Sequence, residues 1–505
     1  MASSGFSRTN RLLLGALPYA AAVLLGIGVY LRSVNGPFIS DDWVLLYQIE
    51  QRPDMGLWGM LTSGYIHRLF GGGADFYRPL INASFLLDHA LWENRTLGYH
   101  LLNLGFHAVC ILLVALLAWL ILRNRVAAIW AAFVFAAHPA HAESVCWISG
   151  RTDVFCAAFM LSGLCAYLAY RERKRKGFLA LSLVLVLLAI LSKELALVTL
   201  ALVPLAAWVS GERSYRRMAL DTVPYVILAA GLFGVRSVVL SGGEATGTAL
   251  SPLHRLAVVA HSVFTEFQIL LLPQTARLGY QISIQKILGP GTLIAFGSIL
   301  VLTWSLWANR RWSRVPFFAA AWFLLTIVPV SVVAGSQIIA QRYLYVPSVG
   351  LAILFGWLMA EAAGNKLSWV RRLGMGVGIA LIVILSLLSV KQSVLYTAEA
   401  RYWERYVADT PLNPTAYYNL GLVYHKAGRE PSAIDAFKAA ADLAPDMAKA
   451  HYSLGDAYMA ISNYDGAIRS FKRAAELMPE DPIPQQALEL AAQRKKDQAA
   501  SRKTP

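Results

Sequence analysis

The chain has 505 residues, 57% of them hydrophobic and only 15% charged, and its mean hydropathy is +0.50; this excludes a water-soluble globule and leaves a polytopic membrane protein. A net charge of +15 does not point to nucleic acid, because the basic residues gather in short connectors between apolar spans, where the positive-inside rule puts them. Cys110, Cys146, Cys156 and Cys165 lie in or beside apolar spans without metal-ligand spacing and read as small buried hydrophobes.

In chain order, apolar spans fall near 12–31, 97–122, 126–140, 153–170, 178–192, 195–209, 219–240, 256–272, 289–308, 315–334, 343–360 and 373–390. The first follows Arg8 and Arg11 but is long and lacks an Ala-x-Ala cleavage signal, so it reads as a retained helix. Strongly basic connectors lie at 123–125, 171–176, 213–217, 310–314 and 366–372. Putting all five in the cytoplasm with the N-terminus requires that 256–272 does not cross. That span carries His261, Glu266 and Gln268 and suits an interfacial or re-entrant helix. The expectation is about eleven crossings, with the C-terminus and every motif described next on the outer side.

An Asp-Asp pair, Asp41 and Asp42, opens the long outer loop 32–96. One carboxylate could cap the helix from Trp43, but two at a bilayer mouth need a cation or a second task. A carboxylate held ionised beside a hydroxyl can take its proton as the oxygen attacks. Arg78 precedes Pro79 in the same loop, and a headgroup-level arginine that snorkels is the plainer reading. His138, His141 and Glu143 follow the third span; the proline between the histidines argues against a helical zinc pair and favours hydrogen bonding. Arg151 and Asp153 could pair with each other at the interface. Lys193 and Glu194 interrupt an apolar stretch, where each charge costs about 2.5–3.5 kcal/mol on insertion scales, so Lys193 should face a polar cavity. Arg342 adds a cation in Gln341-Arg342-Tyr343-Leu344-Tyr345-Val346-Pro347. Cations aimed at one cavity suit a phosphate leaving group.

From Thr397 the composition turns polar and a 34-residue period appears in Leu420/Leu454, Gly421/Gly455, Tyr424/Tyr458, Ala433/Ala467, Phe437/Phe471, Ala440/Ala474 and Pro445/Pro479. This is the tetratricopeptide pattern, in which small residues let paired helices approach and proline ends the second helix. The predicted organisation is all-α: a membrane domain over 1–392 and an α-solenoid over 393–496, ending in a basic, frayed tail at 497–505. Within the solenoid, a half-repeat at 397–411 precedes repeats at 414–447 and 448–481 and a capping helix at 482–496.

These residues in this order resemble the transmembrane and tetratricopeptide-repeat O-mannosyltransferases, within the wider GT-C class of membrane glycosyltransferases that use polyprenyl-phosphate sugars. The resemblance rests on the Asp-Asp start, Tyr77-Arg78-Pro79-Leu80, Tyr99-His100-Leu101-Leu102-Asn103, the 138–153 block, Leu191-Ser192-Lys193-Glu194, the Arg342 block and the repeats. It implies that Asp41 matches the essential outer-loop carboxylate and that the repeats lie in the periplasm or ER lumen. Two features depart from the family: Gln341 stands where a glutamate is common, and the animal members have more repeats.

The expected function is inverting transfer of a sugar, mannose by the resemblance, from a polyprenyl phosphate to protein Ser/Thr hydroxyls on the extracytoplasmic side. Asp41 and Asp42 are the catalytic candidates, and Arg78, His138, His141, Glu143, Arg151, Asp153, Lys193, Glu194 and Arg342 the donor or substrate contacts. The repeats would engage the acceptor protein. A donor already in the membrane accounts for the lack of a nucleotide-binding glycine loop; no cofactor is expected, and a divalent cation stays open. A non-enzymatic scaffold would leave the outer charges unexplained, and a transporter lacks an internally repeated membrane half.

Overall fold

The computed structural model describes residues 8–51, 58–59, 76–239, 251–273, 276–280, 289–310, 313–333 and 339–501. Arg311 in the fourth basic connector lies outside these residues, as do residues 60–75 of the loop expected on the outer side. Among the described residues the structure is helical, with short 3-10 turns and no strand. The chain divides into two units, Met1–Ala276 with Gln281–Thr397, and Arg277–Tyr280 with Ala398–Pro505.

In the first unit, five helices are long and apolar enough to cross a bilayer: Gly15–Asn35, Thr96–Leu122, Ile148–Arg173, Tyr215–Ser237 and Ser368–Thr397. Six shorter apolar helices accompany them: Arg125–Ala137, Lys176–Ser192, Glu194–Val209, Phe296–Ala308, Val315–Ser331 and Ser348–Gly364. Helix Pro252–Leu271 carries Glu266 and belongs to neither group. Close packing depends on small residues: a Cβ on Gly356 would run into the Ala127 carbonyl, the kind of backbone approach that holds membrane helices together. Two of the connectors are tight without glycine. Arg123 (φ 52) and Lys174 (φ 56) take the left-handed conformation and donate their N–H groups to Trp119 and Tyr170, where a basic side chain also suits the helix C-terminus.

The short helices are short because the chain breaks where the motifs lie. Helix Arg125–Ala137 stops at His138, because Pro139 disfavours helical geometry before it, and the ring of His138 caps the following turn by accepting from the Ala140 N–H at 3.2 Å. Two further short turns lead to helix Arg151–Arg173, and every residue from 134 to 158 is buried. Lys193 is extended (φ −160°, ψ 139°) and separates helix Lys176–Ser192 from the turn Glu194–Val198 and helix Thr199–Val209.

Irregular backbone at this depth needs partners from the rest of the protein. Tyr30 donates to the His138 carbonyl at 2.7 Å and Ser389 to the Ala137 carbonyl at 2.7 Å. Asn103 donates to the Trp147 and Ile148 carbonyls at 3.0 and 3.2 Å, and the Trp322 indole to the Val346 carbonyl at 2.9 Å.

The second unit stacks helix Glu399–Asp409, the pairs Pro414–Lys426 with Glu430–Leu443 and Ala448–Ala460 with Tyr464–Leu477, and helix Pro482–Ser501. The periodic residues do what the pattern requires. Ala433, Ala440, Ala467 and Ala474 are fully buried, and Gly421 and Gly455 leave no room for a Cβ against the rings of Phe437 and Phe471. Ala491 of the last helix packs beside Phe471. That helix continues through the expected tail to Ser501, held by a Lys495–Asp465 ion pair and a Gln493–Asp497 hydrogen bond of 2.8 Å.

Candidate active site

Ser40, with φ 56, is a non-glycine residue in the left-handed region at the turn into helix Asp41–Gln51, a conformation that persists where surrounding contacts enforce it. The two carboxylates that follow have different fates. Asp42 is fully buried; it accepts the Ile39 N–H at 2.9 Å on one oxygen and the Ser149 N–H at 2.8 Å and Ser149 hydroxyl on the other. Burial raises its pKa to about 7, against the hydrogen bonds from Ser149 and Ile39, and the charge of Asp41 adds to the rise. Asp41 is half-buried and accepts from the Ser40 hydroxyl at 3.3 Å. Burial raises its pKa too, while Arg342, the Ser40 bond and Arg78 pull it down. Both arginines therefore act on Asp41.

Three cations each hold a carboxylate. Arg342 pairs with Glu143, which also accepts the Arg342 backbone N–H at 3.0 Å. The Arg342 guanidinium lies 5.2 Å from the Trp147 ring centre and 5.0 Å from that of Tyr343. Lys193 meets Asp153 at 2.6 Å and stands 5.2 Å from the same Tyr343 ring. Arg78 donates through Nε (3.2 Å) and Nη2 (2.9 Å) to Glu194, next in sequence to Lys193, and covers the Phe76 ring at 4.4 Å. Asp41, Arg78, Glu143, Asp153, Lys193, Glu194 and Arg342 are thus brought into one neighbourhood.

The remaining candidates lie elsewhere. Arg151 does not pair with Asp153; it is fully buried and bonds Asp88 at 2.6 Å, Ser84 at 3.2 Å and the Tyr99 carbonyl at 3.3 Å, over the Phe85 ring. Its guanidinium thus meets Asp88, from helix Pro79–Trp92, in place of neighbouring Asp153. His138 uses both ring nitrogens internally, on Ala140 and on the Leu270 carbonyl at 3.0 Å, and His141 bonds Ser348 at 2.8 Å. Both histidines are buried hydrogen-bonding groups. Among the described residues no three His, Cys, Asp or Glu side chains sit close enough to hold a metal ion.

The sequence alone gives no site role to Asp88, to Trp147, Ser149 and Tyr343 inside the motif blocks, or to Glu266, which marks only its helix. Asp88 carried a signal, lying one helical turn after Ser84 behind Pro79. Glu266, 2% exposed with an oxygen that has no hydrogen-bond partner, stands close enough to Glu143 to act on it electrostatically. Asn82-Ala83-Ser84 and Asn94-Arg95-Thr96 have the form of N-glycosylation acceptors; Asn82 is buried, whereas Asn94 is exposed in a turn.

The tetratricopeptide repeat family model matches residues 397–448 and 431–482. The protein O-mannosyl-transferase Tmtc1 of Drosophila melanogaster is 25% identical over 85% of this chain and 62% of its own length, and TMTC1 of Homo sapiens is 25% identical over 85% and 56%. The chain carries tetratricopeptide repeats near its C-terminus and is similar to the protein O-mannosyl-transferases. A Caenorhabditis elegans protein O-mannosyl-transferase, F38B6.6, is 26% identical over 79% of this chain and 59% of that one. The chain thus spans 56–62% of the length of these curated relatives. A solved Archaeoglobus fulgidus oligosaccharyltransferase aligns over 83% of this chain and 60% of that one, at 15% identity and a TM-score of 0.43.

Proposed function

We propose that the protein is a membrane glycosyltransferase that moves mannose from a polyprenyl-phosphate donor to Ser/Thr hydroxyls of proteins on the extracytoplasmic side. The observation that carries this reading is the division of labour among the carboxylates. Glu143, Asp153 and Glu194 each face a cation, and Asp42 is taken up by Ile39 and Ser149. Partly buried Asp41, beside Arg342 and Arg78, remains as the base. The relatives' names supply the sugar and the class of acceptor.

In this mechanism the acceptor oxygen attacks the anomeric carbon while Asp41 takes its proton, and the bond from that carbon to the phosphate oxygen breaks on the opposite face. The configuration inverts, and the polyprenyl phosphate leaves with the bonding pair. Arg342, Lys193 and Arg78 stabilise the charge that develops there. Their carboxylate partners fix these cations before substrate arrives, so little reorganisation remains for the transition state.

Purified protein given a panel of polyprenyl-phosphate sugars and an unfolded protein acceptor is expected to transfer mannose to hydroxyl side chains. Failure with every donor, by protein shown to be folded, would remove the enzymatic reading and favour a scaffold.

Sidedness has its own test. In a variant lacking the four native cysteines, a single cysteine replacing Lys174 is expected to be shielded from an impermeant thiol reagent in intact cells, and one replacing Ala448 to react once the outer envelope is permeable. Labelling in the reverse pattern would put the repeats and the motif residues together in the cytoplasm and would overturn extracytoplasmic transfer.

A further inference from the structure

The turn carrying Asp41 is fastened from several directions, and Ser149 is the point at which the fastenings meet the membrane helices. The Asp42 carboxylate closes the turn on itself through the Ile39 N–H at 2.9 Å, just before left-handed Ser40. Its other oxygen takes two donors from Ser149, two residues before helix Arg151–Arg173. Trp147 holds the same turn by donating its indole N–H to the Ile39 carbonyl at 3.0 Å, and Asn103 holds the Trp147 carbonyl at 3.0 Å. The His100 ring lies 3.2 Å from the Gly36 carbonyl at the turn's entry.

We propose that Ser149 is a positioning residue for transfer: by gripping Asp42 it keeps Ser40 left-handed and aims Asp41 toward Arg342 and Arg78. The proposal rests on Asp41 being the base. Physically, Asp41 follows a backbone conformation that its own side chain cannot hold. If the Asp42 grip loosens, Ser40 relaxes to negative φ and the direction of Asp41 changes with it. Misplacing a reacting group by about 1 Å costs on the order of a hundredfold in rate.

The test compares Ser149→Ala, Ser149→Thr and Asp42→Asn in the full-length protein. Ser149→Ala is expected to lower kcat by about 10- to 100-fold, with donor KM little changed and melting temperature near wild type, and Ser149→Thr, which keeps the hydroxyl, to restore most of the loss. Adding Ser149→Ala to Asp42→Asn should cost little more, because both act through one contact. A readout independent of turnover is carbodiimide labelling with a small amine, mapped by mass spectrometry. Wild-type protein should modify Asp41 and spare Asp42, and Ser149→Ala should make Asp42 reactive.

Wild-type kcat with a still-protected Asp42 in Ser149→Ala overturns the proposal, as does a kcat loss that merely follows the loss of folded protein. Wild-type turnover by Asp41→Asn is a different failure: it removes the base itself, while the labelling pattern still reports whether Ser149 holds the turn.

Discussion

Replacing Asp41 with asparagine is expected to lower transfer about 10²- to 10⁴-fold, the range that general-base catalysis supplies, while leaving expression and folding intact. The amide keeps the shape and can still accept from Ser40, but it cannot take the acceptor proton. Asp42→Asn should be milder, because it removes one oxygen from a grip on the backbone rather than the base. A pH profile adds a check with a definite sign. Burial raises the pKa of Asp41 above the ordinary carboxylate value, and only the ionised form works as a base. Turnover is therefore expected to be full above that raised pKa and lost as pH falls through it, so the acid limb of kcat/KM lies above the usual aspartate range. Near wild-type transfer by Asp41→Asn, measured with the same donor and acceptor, would remove the base assignment; an acid limb at the ordinary aspartate value would argue that another group controls the rate.

The parts of this molecule legible in its sequence are those whose physics is local. The 34-residue period maps directly onto helix pairs because Gly421 against Phe437 and Gly455 against Phe471 are contacts within a repeat, renewed in each one. The charges at Lys193 and Arg342 stand out because an ion in an apolar stretch demands a partner wherever the chain folds. Which partner it finds is a long-range fact. Nothing near Arg151 announces that Asp88, from another helix, fills its site instead of neighbouring Asp153, and nothing in the Asp-Asp pair distinguishes the carboxylate buried under Ser149 from the one turned toward Arg342 and Arg78. Adjacent residues on a helix point about 100° apart, so equal chemistry in sequence becomes unequal chemistry in space. A broken helix exposes carbonyls and N–H groups deep in the protein, and His138 satisfies two of these backbone groups, on Ala140 and Leu270.

Arg151 provides the sharpest separation of structural from catalytic charge. With its guanidinium fully buried against Asp88 and the rings of Phe85 and Tyr99, Arg151→Met leaves the Asp88 carboxylate buried and unpaired. Removing one partner of such a pair destabilises a protein by about 3–5 kcal/mol, and here the loss falls on the contact between helices Pro79–Trp92 and Arg151–Arg173. The expected result is low yield, or a denaturation midpoint well below wild type in detergent, with activity falling in proportion to folded protein. Asp88→Leu combined with Arg151→Met should recover most of the stability, because the double replacement leaves no unpaired charge and can pack against the same two rings. A donor contact behaves differently: the single variant would fold normally and bind donor weakly, and the second substitution would rescue nothing. Wild-type stability with a raised donor KM in Arg151→Met would therefore return Arg151 to the phosphate site, whereas recovery of both fold and transfer in the double variant fixes it as a clamp between the outer loop and the membrane helices.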